Sequence, residues 1–290
     1  MEIQRIGVIG VGLMGAGVAE VCARTGYDTL VREINDELLA RGLERIEASM
    51  QTAVNRGKLT AAEQEAARSR VRGTTRLEDF SDRDLVIEAA IEDLQLKKEL
   101  FAQLDQICPP DAILASNTSS IPIIQMAAAT KRPGHVLGMH FFNPVPTMQL
   151  IELVRALTTS DEALEAVRKV GERLGKRMIV SKDRGGFIIN YLLIPYMLDA
   201  VRMLEQGFAS KEDIDIGMML GASYPMGPFT LADFVGLDTA VHIADVLFDE
   251  FKESRFAAPT LLRQMVATGW LGRKSGRGFY NYQAGEKPPR

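Results

Sequence analysis

A short apolar run ending in three spaced glycines constrains this chain more than any other feature. In IGVIGVGLMGAG, residues 6–9 read as a buried strand, and Gly10, Gly12 and Gly15 complete G-x-G-x-x-G. A helical pattern follows through Val18, Val21 and Cys22 and stops at Gly26. Each glycine has its own task. Gly10 permits the tight turn, Gly12 lets backbone approach a pyrophosphate, and Gly15 lets the helix pack close on the strand. The helix start then offers N–H donors and positive dipole to the phosphates. Gly10, Val11, Gly12, Leu13, Met14 and Gly15 are therefore the expected contacts of a dinucleotide. A second strand over residues 29–32 ends at Glu33, about 20 residues on, where an acid binds the adenosine ribose. A carboxylate there repels a 2′-phosphate, so NAD is favoured over NADP, although the neighbouring Arg32 is a side chain that could accept that phosphate.

The alternation continues. Helices are expected over 36–56, after Thr60, and over 94–107 and 161–174; strands over 85–89, 112–115, 135–142, 149–154 and 178–180. This rhythm implies a Rossmann-type, doubly wound, mainly parallel α/β sheet. After Gly186 it gives way to helical spacing over 187–205, 211–220, 229–249 and 258–267, with a bend expected at Pro195 and an N-terminal capping signature at Ser210, Glu212 and Asp213. The expected organisation is an NAD-binding domain over residues 1–185 and a smaller all-α substrate and dimerisation domain over 186–290. The Met-rich stretch GMMLGASYPMGPF reads as buried packing.

A net charge of −4 and a pI near 5.6 give no electrostatic case for nucleic acid or an anionic membrane. No apolar run approaches the roughly 20 residues that span a bilayer, and the N-terminus has no signal-peptide pattern. Cys22 and Cys108 lack metal-ligand spacing and read as reduced core residues of a cytoplasmic protein, with no metal site expected.

His140 and Glu152 stand equidistant from Pro146 in HFFNPVPTMQLIE. If the flanking strands run antiparallel about that turn, the two residues face each other. A buried carboxylate is costly unless paired. Bonded to one imidazole nitrogen, it fixes the tautomer so that the other nitrogen can take a proton from a hydroxyl while the carbon gives hydride to a nicotinamide. SNTSSIP follows a strand and precedes a helix, with Ser119 or Ser120 as N-cap and Pro122 in the first turn. Its place at the carboxyl end of a strand also makes its hydroxyls candidate ligand contacts.

Together GVGLMGAG, SNTSS, GMHFFNPVP with a glutamate twelve residues past the histidine, GGFIIN, and YPMGPF with LADFVGLD resemble the 3-hydroxyacyl-CoA dehydrogenase family over essentially the full length. The compact length resembles its single-function bacterial members, which implies a short-chain substrate such as a 3-hydroxybutyryl thioester. The resemblance implies NAD-dependent oxidation of an (S)-3-hydroxyacyl-CoA, or the reverse, by a homodimer formed through the helical domain, with the substrate between the domains. It makes His140 the base, Glu152 its orienting carboxylate, Ser119 a neighbour of substrate and nicotinamide, and Asn190 an active-site asparagine. Asn143, Glu92, Lys97 and Lys274 match cofactor contacts, and Ser49 and Arg56 match positions that hold the CoA moiety. GGFIINY departs from the more usual PGFIVNR around Asn190. Two rivals remain: a gulonate-type sugar-acid dehydrogenase that shares the glycine loop and HFFNP, and a catalytically silent, crystallin-like dinucleotide-binding protein. Ser49 and Arg56 favour CoA over the first, and the retained His140–Glu152 pair speaks against the second.

Overall fold

The computed structural model describes residues 2–289. Two units divide the chain, Met1–Arg184 and Gly185–Arg290. The first is built on strands β1 (Arg5–Ile9), β2 (Asp28–Arg32), β3 (Val71–Thr74), β4 (Leu85–Glu88), β5 (Ile113–Ser116), β6 (Val136–Phe141), β7 (Leu150–Arg155) and β8 (Arg177–Lys182). They form one sheet in the order β3-β2-β1-β4-β5-β6-β7-β8. Every neighbouring pair is parallel except β6 with β7. The connections wind one way from β1 to β3 and the other way from β4 onward, so the switch point lies between β1 and β4. In such sheets ligands bind outside the carboxyl ends of the strands at that crevice.

Helices α1 (Leu13–Arg24), α2 (Asp36–Asn55), α3 (Ala61–Arg68), α4 (Leu94–Ile107), α5 (Ile123–Ala127) and α6 (Asp161–Arg173) belong to the same unit. The central strands are apolar on both faces because helices must cover both, and Ile6, Val8, Ile87, Ala115 and Leu137 are fully buried. Strand β3 has no counterpart among the expected elements. Its VRGT sequence lies at the sheet edge with two exposed residues, so no apolar run announces it.

The start of α5 corrects a second expectation. Neither Ser119 nor Ser120 caps it, and Pro122 is the N-cap rather than a first-turn residue. The cap comes from Asp183, whose two carboxylate oxygens accept from Ile123 N at 2.8 Å and Ile124 N at 2.7 Å. The serines are turned to a different carboxylate, described below.

The second unit is helical: α7 (Ile189–Glu205), α8 (Lys211–Ile216), α9 (Pro228–Val235), α10 (Leu237–Phe251) and α11 (Thr260–Ala267). The single helix expected over 229–249 is two. Gly236, at φ 100°, breaks it, because a right-handed helix cannot pass through that conformation. The helix expected to reach residue 220 leaves α geometry at Ile216 and closes as a π turn, Gly217–Gly221. Two buried carboxylates organise this unit. Asp215 accepts from Phe229 N, Thr230 N, the Thr230 hydroxyl and the Tyr280 hydroxyl at 2.6–3.1 Å, and Asp233 from Phe279 N, Tyr280 N and the Tyr282 hydroxyl at 2.9–3.0 Å. Phe229 and Leu237 are buried in the unit's own core, whereas the methionines of GMMLGASYPM are only half-buried.

Both thiols lie in the first unit. Burial pushes Cys22 up to about 12 and Cys108 up to about 11, far from the thiolate form that reacts. A disulfide-exchange reagent at neutral pH is expected to label neither in the folded protein and both after denaturation. Rapid labelling of the native protein would contradict this packing. Among the described residues no helix is long and apolar enough to cross a membrane, and no cluster of His, Cys, Asp or Glu could hold a metal ion.

Candidate active site

The glycine loop has the shape of a phosphate cradle. A Cβ on Gly10, at φ 82°, would lie 2.7 Å from Ala89 O, and one on Gly15 would lie 1.8 Å from Gly10 O. Both positions are closed to any side chain. Gly12 is the reverse: a Cβ there would meet nothing within 4 Å, which leaves open space over the start of α1. That helix has no side-chain cap and no acid in its first turn, so its N–H groups and dipole face the opening. Leu13 is exposed there and Met14 half-buried. Glu33 closes the loop's far side, its Oε1 accepting from Val11 N at 2.6 Å. Arg32 turns elsewhere, its Nε donating to Thr75 O at 3.3 Å. The acid, not the arginine, lies against the loop, as a ribose-binding position for NAD requires. These residues fit the dinucleotide.

Across the switch point, the ends of β4 and β5 carry a polar cluster that is almost wholly buried. Lys97, from α4, has a side chain 1% exposed and binds Glu88 Oε1 at 2.5 Å and Glu92 Oε2 at 3.3 Å. Glu88 also accepts from Ala90 N at 2.7 Å and the Ser116 hydroxyl at 2.6 Å. Glu92 accepts from the hydroxyls of Thr118 and Ser120 and from Ser119 N at 3.0 Å. Burial acts to raise the Glu92 carboxyl, but the Lys97 ammonium and these hydrogen bonds outweigh it and hold it below the usual range. Lys97 thus reaches the serine loop through Glu92, and the loop's serines serve this carboxylate rather than α5. Glu88 was invisible as a site residue in the sequence. It is the last letter of an apolar strand, LVIE, and only its place at a strand's carboxyl end hinted at a role.

The hairpin folds in the register that symmetry about Pro146 requires. His140 pairs with Glu152 across β6 and β7, and Nδ1 lies 2.8 Å from Oε2. Both are buried. An ionised carboxylate can only accept, so Nδ1 carries the hydrogen and Nε2 is the basic atom. The Phe142 ring packs 4.6 Å from the imidazole, centre to centre. The turn is held from two sides: Lys176 Nζ donates to Val145 O at 2.6 Å and Met148 O at 2.7 Å, and Gly17 of α1 lets Val145 settle where a Cβ would stand 2.8 Å from it. Asn117 Oδ1 accepts from Phe141 N at 2.9 Å, tying the serine loop to the strand of the base. Asn143 is exposed at the tip, preceding Pro144 through a cis peptide.

Comparison with known proteins gives this arrangement its family. Residues 5–184 match the 3-hydroxyacyl-CoA dehydrogenase NAD binding domain, and residues 186–282 match the C-terminal domain of the same family. The chain belongs to the 3-hydroxyacyl-CoA dehydrogenase family. It is an NAD-dependent oxidoreductase. A 3-hydroxybutyryl-CoA dehydrogenase of Mycobacterium tuberculosis is 52% identical over 282 residues, covering 97% of this chain and 99% of the relative. A probable 3-hydroxybutyryl-CoA dehydrogenase of Bacillus subtilis is 44% identical over 283 residues, 98% of this chain and 99% of the relative. Among solved structures, FadB2 of M. tuberculosis superposes with a TM-score of 0.96 at 52% identity, covering 97% of this chain and all of the other. The (S)-3-hydroxybutyryl-CoA dehydrogenase PaaH1 of Ralstonia eutropha gives 0.93 at 43% identity, with 97% and 99% covered. The sugar-acid and crystallin-like readings are not favoured by these relatives.

Other family positions fall outside the clusters above. Ser49 is half-buried on α2, and Arg56 is its exposed C-cap residue. In the helical unit, Asn190 lies in the first turn of α7, and Lys274 Nζ binds Asp238 at 2.6 Å. The departure from the family's PGFIVNR has a local account. Gly185, where the pattern has proline, donates its N–H to Glu250 at 3.2 Å, a bond proline cannot make. Tyr191, where the pattern has arginine, packs against both Phe251 and Phe256, and the Arg255 guanidinium lies 4.7 Å over its ring.

Proposed function

We propose that this chain interconverts (S)-3-hydroxybutyryl-CoA and acetoacetyl-CoA, with His140 as general base and acid. The observation that carries the reading is the 2.8 Å contact of His140 Nδ1 with buried Glu152, on a strand pair of the same sheet whose β1 leads into a glycine loop shaped for a dinucleotide. Bound NAD would accept the hydride released from the carbinol carbon. His140 Nε2 takes the hydroxyl proton in the oxidation and returns it in the reduction. Glu152 holds the ring in the one tautomer that can do so, and stabilises the imidazolium that results. The Glu92–Ser119 contact fixes the loop whose hydroxyl would face the substrate, and Ser49 and Arg56 on α2 supply a hydroxyl and a cation suited to CoA. The short-chain preference is supported by relatives named 3-hydroxybutyryl-CoA dehydrogenase at 52%, 44% and 40% identity. Comparing rates on acetoacetyl-CoA and 3-ketopalmitoyl-CoA, each with NADH and NADPH, tests it. Faster turnover of the short substrate with NADH is expected; preference for the long chain or for NADPH would overturn it.

Glu152→Gln is expected to lower kcat about a hundredfold, because an amide can offer either hydrogen or oxygen to Nδ1 and no longer imposes the tautomer. A variant with wild-type kcat would mean that the two side chains are not coupled. The chain is further proposed to act in the cytoplasm as a homodimer through its helical unit. Leu192, Phe208 and Leu220 support this, being 65%, 75% and 77% exposed. Light scattering on the purified protein should give twice the chain mass.

A further inference from the structure

Two carboxylates share one buried lysine beside the dinucleotide loop, which leaves a negative charge uncompensated. The partners of the two carboxyl groups are Lys97, Ala90 N and the Ser116 hydroxyl for Glu88, and Lys97, Ser119 N and the Thr118 and Ser120 hydroxyls for Glu92. A neighbouring ammonium favours the charged form of a carboxyl group, and Lys97 Nζ lies 2.5 Å from Glu88 Oε1 and 3.3 Å from Glu92 Oε2. The cluster therefore holds two negative charges and one positive, and water reaches only Glu92, whose side chain is 25% exposed.

The strand order says which part of the cofactor this charge meets. Glu33 at the end of β2 and the glycine loop after β1 take the adenosine and pyrophosphate. The nicotinamide half then falls on the β4–β5–β6 side of the switch point, where the cluster and His140 both lie. Contact with the loop is direct: Ala90 N, which donates to Glu88, would be 2.9 Å from a Cβ on Gly10. The oxidised nicotinamide ring is a cation and the reduced ring is neutral.

We propose that the Glu88–Lys97–Glu92 cluster is an electrostatic selector, whose uncompensated negative charge strengthens binding of NAD⁺ relative to NADH. Glu88 acts from beneath the site, without touching the cofactor. The inference rests on the placement of the nicotinamide in the proposed function. In a partly buried setting, loss of one such charge changes the ratio of the two affinities by roughly five- to tenfold.

The test measures the dissociation constants of NAD⁺ and NADH separately, by titration calorimetry without substrate. Glu88→Gln removes the net charge and keeps the shape, so Kd(NAD⁺)/Kd(NADH) should rise about five- to tenfold. Glu88→Gln/Lys97→Met restores a net charge of minus one through Glu92, and the ratio should return to within about twofold of wild type. A packing role would move both constants together. An unchanged ratio in Glu88→Gln, or a double variant that keeps the single variant's ratio, overturns the proposal. Should Glu88→Gln not fold, Glu92→Gln carries the same expectation of a raised ratio and the same refutation. Wild-type protein that binds both nucleotides and shows the ratio changes, yet turns over no 3-ketoacyl-CoA, would sink the proposed substrate and leave the selector standing.

Discussion

Replacing His140 with glutamine is expected to lower kcat by about three orders of magnitude, while the Kd for NADH stays within about threefold of wild type. The split follows from where the side chain sits. His140 lies on β6, paired with Glu152, whereas the dinucleotide cradle is formed by the loop after β1, the start of α1 and Glu33. Glutamine fills similar space and can still meet the Glu152 carboxylate, so the hairpin keeps its register. What it lacks is a basic nitrogen at the position of Nε2. The measurement is steady-state kinetics beside calorimetric cofactor binding. Near-normal turnover would remove His140 from the reaction, and a parallel loss of NADH binding would show that the substitution had collapsed the site rather than its chemistry.

Gly15→Ala is the second large effect, and here binding and stability should fall together. The added methyl would stand 1.8 Å from Gly10 O, against backbone that cannot rotate away. Either α1 shifts off β1 or the Gly10 turn opens, and each destroys the cradle. Overpacking of this kind costs about 1–3 kcal/mol, a fall in Tm of several degrees, and NADH affinity should drop at least a hundredfold. Gly12→Ala is the control, since nothing stands within 4 Å of its Cβ. It should keep the wild-type Tm and still lose affinity, because the methyl takes space meant for phosphate. A Gly15→Ala protein with unchanged Tm and affinity would mean that the loop is not packed as described.

What the sequence made legible was local or symmetric. The glycine spacing announces its strand, turn and helix within fifteen residues. The His140–Glu152 pairing could be read because proline fixes the turn and an antiparallel ladder then leaves one register. Long-range contacts left no such mark. Asp183 caps α5 from 60 residues away. Glu88 and Lys97 are an acid closing an apolar strand and a base early in a charged helix, and only the fold reveals that one ammonium serves two carboxylates. Strand β3 leaves no mark in the sequence because an exposed edge needs no apolar run, and the break at Gly236 leaves none because helical spacing persists on both sides of one glycine at positive φ.

In the proposed function a tautomer-fixed histidine, on the sheet that carries the NAD cradle, acts on a 3-ketoacyl thioester. Loss of nicotinamide absorbance when wild-type protein meets acetoacetyl-CoA and NADH tests this most directly. Sustained turnover, abolished by His140→Gln, is the result the structure predicts. An NADH signal that stays flat over saturating acetoacetyl-CoA, in protein that binds NADH, would contradict it.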